Sequence, residues 1–382
     1  MHKFTIDFEI VTPMFIAGSN QKTAEFRLPS FKGSLRFWWR AVAFAKLKSL
    51  EQLKEKEDFI FGSTNNASRI HLNLESYRQG QTRVNFKNKG GLVYLGYGVI
   101  HYSGRPERKY ISPNTIGRIT IACRGLQQDQ LNELQQALTA FALFGNMGSR
   151  ARKGYGSINF RKISLDGKIF YSQPKAINSL EKKINEFCKS NNIGRLNSQP
   201  PFSAFSAFTR IDILENDTNA LTLLNLVGEQ MALYRSYGRN GKVMGKSAER
   251  NFKSDHDLIR EIQKGQKPQV HPQRVIFGLP HNYFFGSDGF KVNVEPDSKE
   301  MTRRASPLFI KIHKLDNQLF VAVALVLRSQ FLPQGVKIKI SPKRMRTTKV
   351  PLRPDWEVLT EFIEGSNKQG SRFPRRKKVF PL

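Results

Sequence analysis

Gly148-Ser-Arg-Ala-Arg-Lys-Gly-Tyr-Gly-Ser157 sets three glycines, three cations and two serines between two apolar runs. Before it, Asp129 to Phe144 repeats its apolar residues at helical spacing; after it, Ile158 to Leu165 reads as a strand. Upstream, residues 3–11 alternate as a strand, and Pro29-Ser30 opens a helix to about Leu53 with Ser30 as its N-cap. Ile70 to Leu74 and Thr115 to Ala122 read as strands, with residues 79–114 between them as an inserted hairpin or loop. The order is βαββαβ, which predicts an α+β, ferredoxin-like (RRM-like) domain over residues 1–173.

Residues 174–201 hold a short polar helix and a Pro-Pro pair, and read as a linker. Beyond it, Phe205 to Ile213 reads as a strand and Leu221 to Tyr234 as a helix. Arg274 to Leu279, Pro307 to His313 and Leu319 to Leu327 also read as strands. This predicts a second ferredoxin-like domain over 202–382, with a basic insertion at 235–273 and a basic tail, Lys368 to Lys378, read as a solvated end.

Lys and Arg number 62 against 31 Asp and Glu, a net charge of +31, so a nucleic acid is the first partner to consider. An anionic membrane surface is the alternative, but no basic amphipathic helix or lipidation motif supports it. Cys123 and Cys188 read as buried, reduced thiols, and the first residues as a strand and not a secretory leader; a cytoplasmic protein is expected.

The glycine loop offers backbone N–H groups and cations to phosphate: Gly148, Ser149, Arg150, Arg152, Lys153, Gly154, Gly156 and Ser157. Lys153 to Phe160 nearly reproduces an RRM signature, but Ser157 replaces a base-stacking aromatic, leaving Tyr155 as the one stacking platform. On the first helix Leu35, Trp38, Trp39, Val42 and Ala45 form the core stripe, while Lys32, Arg36 and Arg40 recur every fourth residue beside it. Those cations are either a solvated edge or, with Gly33 in the first turns, an RNA contact. Phe37 and Phe44 face elsewhere, toward a partner or the second domain. Asn240 to Ser247 fails as a Walker loop, since Gly241 and Gly245 stand four apart where five are needed. No metal, cofactor or catalytic constellation is expected, Asp255-His-Asp257 being read as structural.

The glycine loop together with Pro29-Ser-Phe-Lys-Gly-Ser-Leu-Arg-Phe-Trp-Trp-Arg40 resembles the RAMP superfamily of CRISPR proteins, most closely the first subunit of type III-B (Cmr) RNA-silencing complexes. Arg274 to Pro280, Arg303-Arg304 with the following Ala-Ser-Pro-Leu-Phe309, and Phe331 to Pro333 extend the likeness. The resemblance implies two ferredoxin-like domains, and CRISPR guide RNA, target RNA and neighbouring RAMP subunits as partners. It also implies RNA contact by the glycine loop and by Arg303 and Arg304. Target-cutting relatives carry an Asp in the first loop, where this chain has Gly18 to Glu25 without one. A non-catalytic RNA-binding subunit is therefore expected, with a RAMP endoribonuclease using His101 or His256 as the rival.

Overall fold

The computed structural model describes residues 1–47, 49–366 and 370–381. The first half runs β1 (His2–Ile10), α1 (Leu28–Ala43), α2 (Leu50–Phe61), β2 (Ile70–Arg78), α3 (Gly90–Leu95), β3 (Ile116–Cys123), α4 (Gln128–Phe144), β4 (Ile158–Leu165) and β5 (Lys168–Ser172). Its sheet has the order β2-β3-β1-β4-β5 and is antiparallel throughout, the ferredoxin-like arrangement with one added edge strand. Strand alternation turns Phe4, Ile6, Phe8 and Ile10 of β1 inward. Against them α1 buries Phe31, Leu35, Trp38, Trp39 and Val42, and α4 buries Leu131, Leu134, Leu138 and Phe141. Each such side chain contributes about 1.5–3 kcal/mol.

Two local expectations need correction. The first helix begins at Leu28 with Pro29 in its opening turn, where a missing N–H costs nothing, so Ser30 lies inside the helix and caps nothing. It also ends at Ala43: a single 3-10 turn follows, and a separate helix, α2, starts under the Ser49 cap, whose side chain accepts from the Gln52 amide at 3.2 Å.

The second half runs α5 (Ile177–Ser190), β6 (Thr209–Asp217), α6 (Ala220–Arg235), β7 (Lys242–Val243), β8 (Lys246–Ser247), α7 (Lys253–Gln263), β9 (His281–Phe284), β10 (Lys291–Pro296), β11 (Leu308–Lys314), β12 (Phe320–Leu327), β13 (Ile338–Pro342), β14 (Thr348–Val350), α8 (Glu357–Glu364) and β15 (Lys377–Phe380). The sheet β11-β12-β6-β15 repeats the first sheet's order, with α6 and α8 as its two helices. Two insertions, one after α6 and one after β12, meet in a further sheet, β14-β13-β10-β9. The expected strand at Arg274 to Leu279 is instead a 3-10 turn over Gln273–Phe277, closed by Gly278 at φ 119°.

The basic tail is not a solvated end. Lys377–Phe380 pairs with β6 as the fourth strand of the second sheet, and Arg376 binds buried Asp212 at 2.7 Å. Lys368, the first residue of that expected tail, lies outside the described residues.

The run Phe320 to Leu327 is apolar at every position because both faces of β12 are covered. Val321, Val323 and Leu325 join the core beneath α1, α4 and α5, whereas Ala322, Ala324 and Val326 join the core under α6 and α8. Phe37 and Phe44, the outlying aromatics of the first helix segment, pack on Phe309 and Phe202, with ring centroids 5.8 and 5.0 Å apart. The two halves are thus joined through a shared apolar layer.

Residues 79–114 form a loop with one short helix and, beyond it, a tight antiparallel turn bridged at Ile100 and Pro106. Its α3 crosses α6 at two glycines: a Cβ on Gly91 would strike the Asn225 carbonyl, and one on Gly228 the Gly91 carbonyl. That close approach fixes the insertion on the second half.

Candidate nucleic-acid interface

Two cations of α1 are neutralised from within. Arg36 is paired with Glu57 and, at 3.5 Å, with Asp58; Arg40 reaches Glu57 at 3.5 Å. Lys32 donates to the Ser68 hydroxyl at 2.7 Å, and burial together with Arg36 lowers its pKa. The acids lie on α2, so spacing along α1 alone could not reveal them. Gly33 is exposed, with open space above its Cα.

The glycine loop is stitched into the junction of the halves. Arg152 lies over the Phe309 ring at 4.3 Å and donates to the Ser306 carbonyl; burial and Arg304 push its pKa down to about 9. Its own carbonyl accepts from the Ile310 amide at 3.1 Å, and Ser157 Oγ accepts from the Ile312 amide at 3.1 Å. Asn146 Nδ2 donates to the Ile310 carbonyl at 2.7 Å, so the loop closes the edge of β11. Gly154 and Gly156 sit at φ 85° and 63°, and a Cβ on Gly156 would strike the Met147 carbonyl.

Tyr155 is wholly buried: its ring packs edge-on against Phe15 at 5.4 Å and its hydroxyl donates to the Leu92 carbonyl at 2.7 Å. No face of that ring is open to a base. Ser157 is buried as well, donating through its amide to Thr12 Oγ1 at 2.9 Å. Lys153 is half-buried, against Met231 Sδ at 3.6 Å, and Arg304 is half-buried with Nη2 donating to Ser329 Oγ at 2.7 Å.

What remains outward is Gly148, Ser149 in part, Arg150 and Arg303. Arg150 adopts φ 62°, rare for a side-chain-bearing residue, and lies 5.8 Å from the Tyr97 ring centre. Burial lowers its pKa, and Arg303 and Arg108 lower it further, so three arginines from separate segments share one field. Tyr97 stands 76% exposed there; further along the same loop Tyr102 is 85% exposed, its ring tilted against His101 with centres 4.0 Å apart, and Arg105 and Lys109 are exposed. Arginines around open aromatic rings can hold phosphates and stack bases. Tyr97 to Lys109 interleaves aromatic and basic residues, a signal that the sequence itself carries within the 79–114 insertion.

Asp255 is buried and fully engaged: it accepts from the Gln273 and Arg274 amides, from Arg274 Nε and from the Tyr283 hydroxyl, at 2.7–3.2 Å. His256 lies flat on Tyr237 with ring centres 3.8 Å apart. Among the described residues no three His, Cys, Asp or Glu side chains converge, and no helix is long and apolar enough to cross a membrane.

Residues 7–159, most of the first ferredoxin-like unit, match the RAMP superfamily model. Two curated relatives are subunits of the Pyrococcus furiosus Cmr CRISPR system. Cmr1-1 is 23% identical over 352 residues, 88% of this chain and 87% of its own. Cmr1-2 is 28% identical over 185 residues, 43% of this chain and 97% of its own. The fold matches the apo crystal structure of Cmr1 from Pyrococcus furiosus with TM-score 0.57 at 19% identity, covering 99% of both chains. A chain of the type III-B Cmr-beta complex bound to cognate target RNA matches with TM-score 0.50 at 12% identity, over 95% of this chain and 98% of that one.

Proposed function

We propose that the protein is a non-catalytic, cytoplasmic RNA-binding subunit of a type III-B CRISPR effector, built from ferredoxin-like domains over 1–173 and 202–382 joined through 174–201. It holds guide and target RNA and abuts neighbouring RAMP subunits. The relatives' membership of Cmr systems supports the assembly. The observation that carries the RNA role is the open surface where Tyr97 stands beside Arg108, Arg150 and Arg303, with Tyr102 exposed on the same loop. Arg150, Arg303 and the backbone of Gly148 and Ser149 contact phosphate, and the two tyrosines stack bases. Arg152, Lys153, Gly154, Tyr155, Gly156, Ser157 and Arg304 hold that surface in place. Lys32, Gly33, Arg36 and Arg40 form a secondary basic edge tempered by Glu57 and Asp58.

The test is fluorescence anisotropy with labelled single-stranded RNA. Tyr97→Ala with Tyr102→Ala should weaken binding by about 1–3 kcal/mol per stacked base, and the RNA should be recovered uncut with or without divalent metal. Unchanged affinity in the double variant would remove the surface from the account, and cleavage products would replace the binding subunit with a nuclease.

A further inference from the structure

Several buried charges in this protein meet an opposite one: Asp212 meets Arg210 and Arg376, Asp255 meets Arg274, and Glu9 meets Lys314. Among the described residues Lys311 and Arg152 lack a carboxylate but donate to backbone carbonyls, whereas Lys153 and Arg235 have neither kind of partner. Lys153 Nζ has Met231 Sδ at 3.6 Å and the Phe277 ring at 5.8 Å. The Arg235 guanidinium lies over the same Phe277 ring at 4.4 Å and near Tyr94 at 6.0 Å, and its Nε is buried with no hydrogen-bond partner.

Some compensation exists. Arg235 ends α6, where the helix dipole favours a cation, and the ring faces add cation–π attraction. Removing a cation from water costs more than these return, so two cations sharing one ring remain undercompensated. Burial pushes the Lys153 pKa well down, with Arg235, Arg150 and Arg152 adding to it. Both residues are half-buried and not sealed in the core, which leaves an anion a way in.

We propose that Lys153 and Arg235 form a discrete seat for one phosphate group, lined by Tyr94, Met231 and Phe277, behind the exposed tyrosine–arginine surface. The phosphate belongs to an RNA backbone or to free phosphate. Both present tetrahedral oxygens that accept from Lys153 Nζ and from Arg235 Nε and its terminal nitrogens. The seat goes beyond the RNA-binding reading, because phosphate alone should fill it.

The full chain is titrated with inorganic phosphate against chloride at matched ionic strength, by calorimetry and thermal unfolding. The parent should bind phosphate and melt several degrees higher. Arg235→Gln and Lys153→Met should each weaken binding at least tenfold, while Arg235→Lys retains it within a few-fold and guards against a folding defect in the other variants. A phosphate response no larger than that to chloride, or an undiminished one in Arg235→Gln, overturns the seat. Anisotropy with single-stranded RNA then separates the sources: if phosphate competes with RNA the seat takes the RNA backbone, and if the two bind independently it takes free phosphate. Loss of RNA binding in the tyrosine variants with phosphate binding intact would leave the seat standing by itself.

Discussion

The Lys311 ammonium of β11 lies 2.7 Å from the carbonyl oxygen of Gly145, the residue that caps α4 just before the glycine loop. It donates also to the Ile158 carbonyl at 2.8 Å, beyond the loop, so one buried cation from the second half pins both ends of a segment in the first. Truncation by Lys311→Ala should therefore cost about 3 kcal/mol or more, since each abandoned buried acceptor costs about 1–3 kcal/mol. Chemical denaturation of parent and variant measures this; a loss below 1 kcal/mol would mean that the carbonyls find water.

Acid should destabilise the fold through His313. Burial, with Lys311 nearby, pushes its pKa down to about 3, and its Nε2 meets the Leu143 carbonyl at 2.8 Å. The unfolded chain protonates this residue near pH 6.5 while the folded one does not, so stability falls as pH drops from 6.5 toward 3. One such group gives a slope of up to about 1.4 kcal/mol per pH unit. Burial and Arg235 lower the His281 pKa likewise, adding to the same window. Stability measured against pH should show a shallower acid limb in His313→Gln; an unchanged limb would assign the effect to carboxylates.

Neighbouring arginines in the loop should separate by role. Arg152 packs on Phe309 and Phe37, so Arg152→Ala should lower stability by about 1–2 kcal/mol with a small change in RNA affinity. Arg150 faces outward and Arg150→Gln should do the reverse. Parallel melting and anisotropy measurements decide it, and equal effects on both readouts would dissolve the distinction.

The α3–α6 glycine crossing should control the tyrosine surface. Gly228→Val forces α3 off α6, which should raise hydrogen exchange across residues 79–114 and reduce RNA affinity several-fold. Exchange confined to α6 would show that the insertion is held by other contacts.

Alternation in Lys3 to Ile10 and helical spacing in Asp129 to Phe144 placed the first sheet and its second helix, because those patterns depend on local burial alone. What stayed hidden depends on distant partners. Arg36 and Arg40 looked unpaired because Glu57 and Asp58 arrive from α2. Tyr155 looked like a base platform because nothing in the loop shows that Phe15 and Leu92 enclose it. The segment from Arg376 to Phe380 looked like a charged tail because the carboxylates that meet Arg376 and Lys377, Asp212 and Glu181, lie far upstream.

The salt dependence of RNA binding tests most directly the claim that the outward arginines hold the phosphate backbone. Dissociation constants for a single-stranded RNA are measured from low to physiological salt for the parent and for Arg150→Gln with Arg303→Gln. The account predicts weaker binding and a log–log slope shallower by about 0.7 for each lost phosphate contact, about 1.4 for the pair. A double variant with the parent's affinity and slope would contradict it.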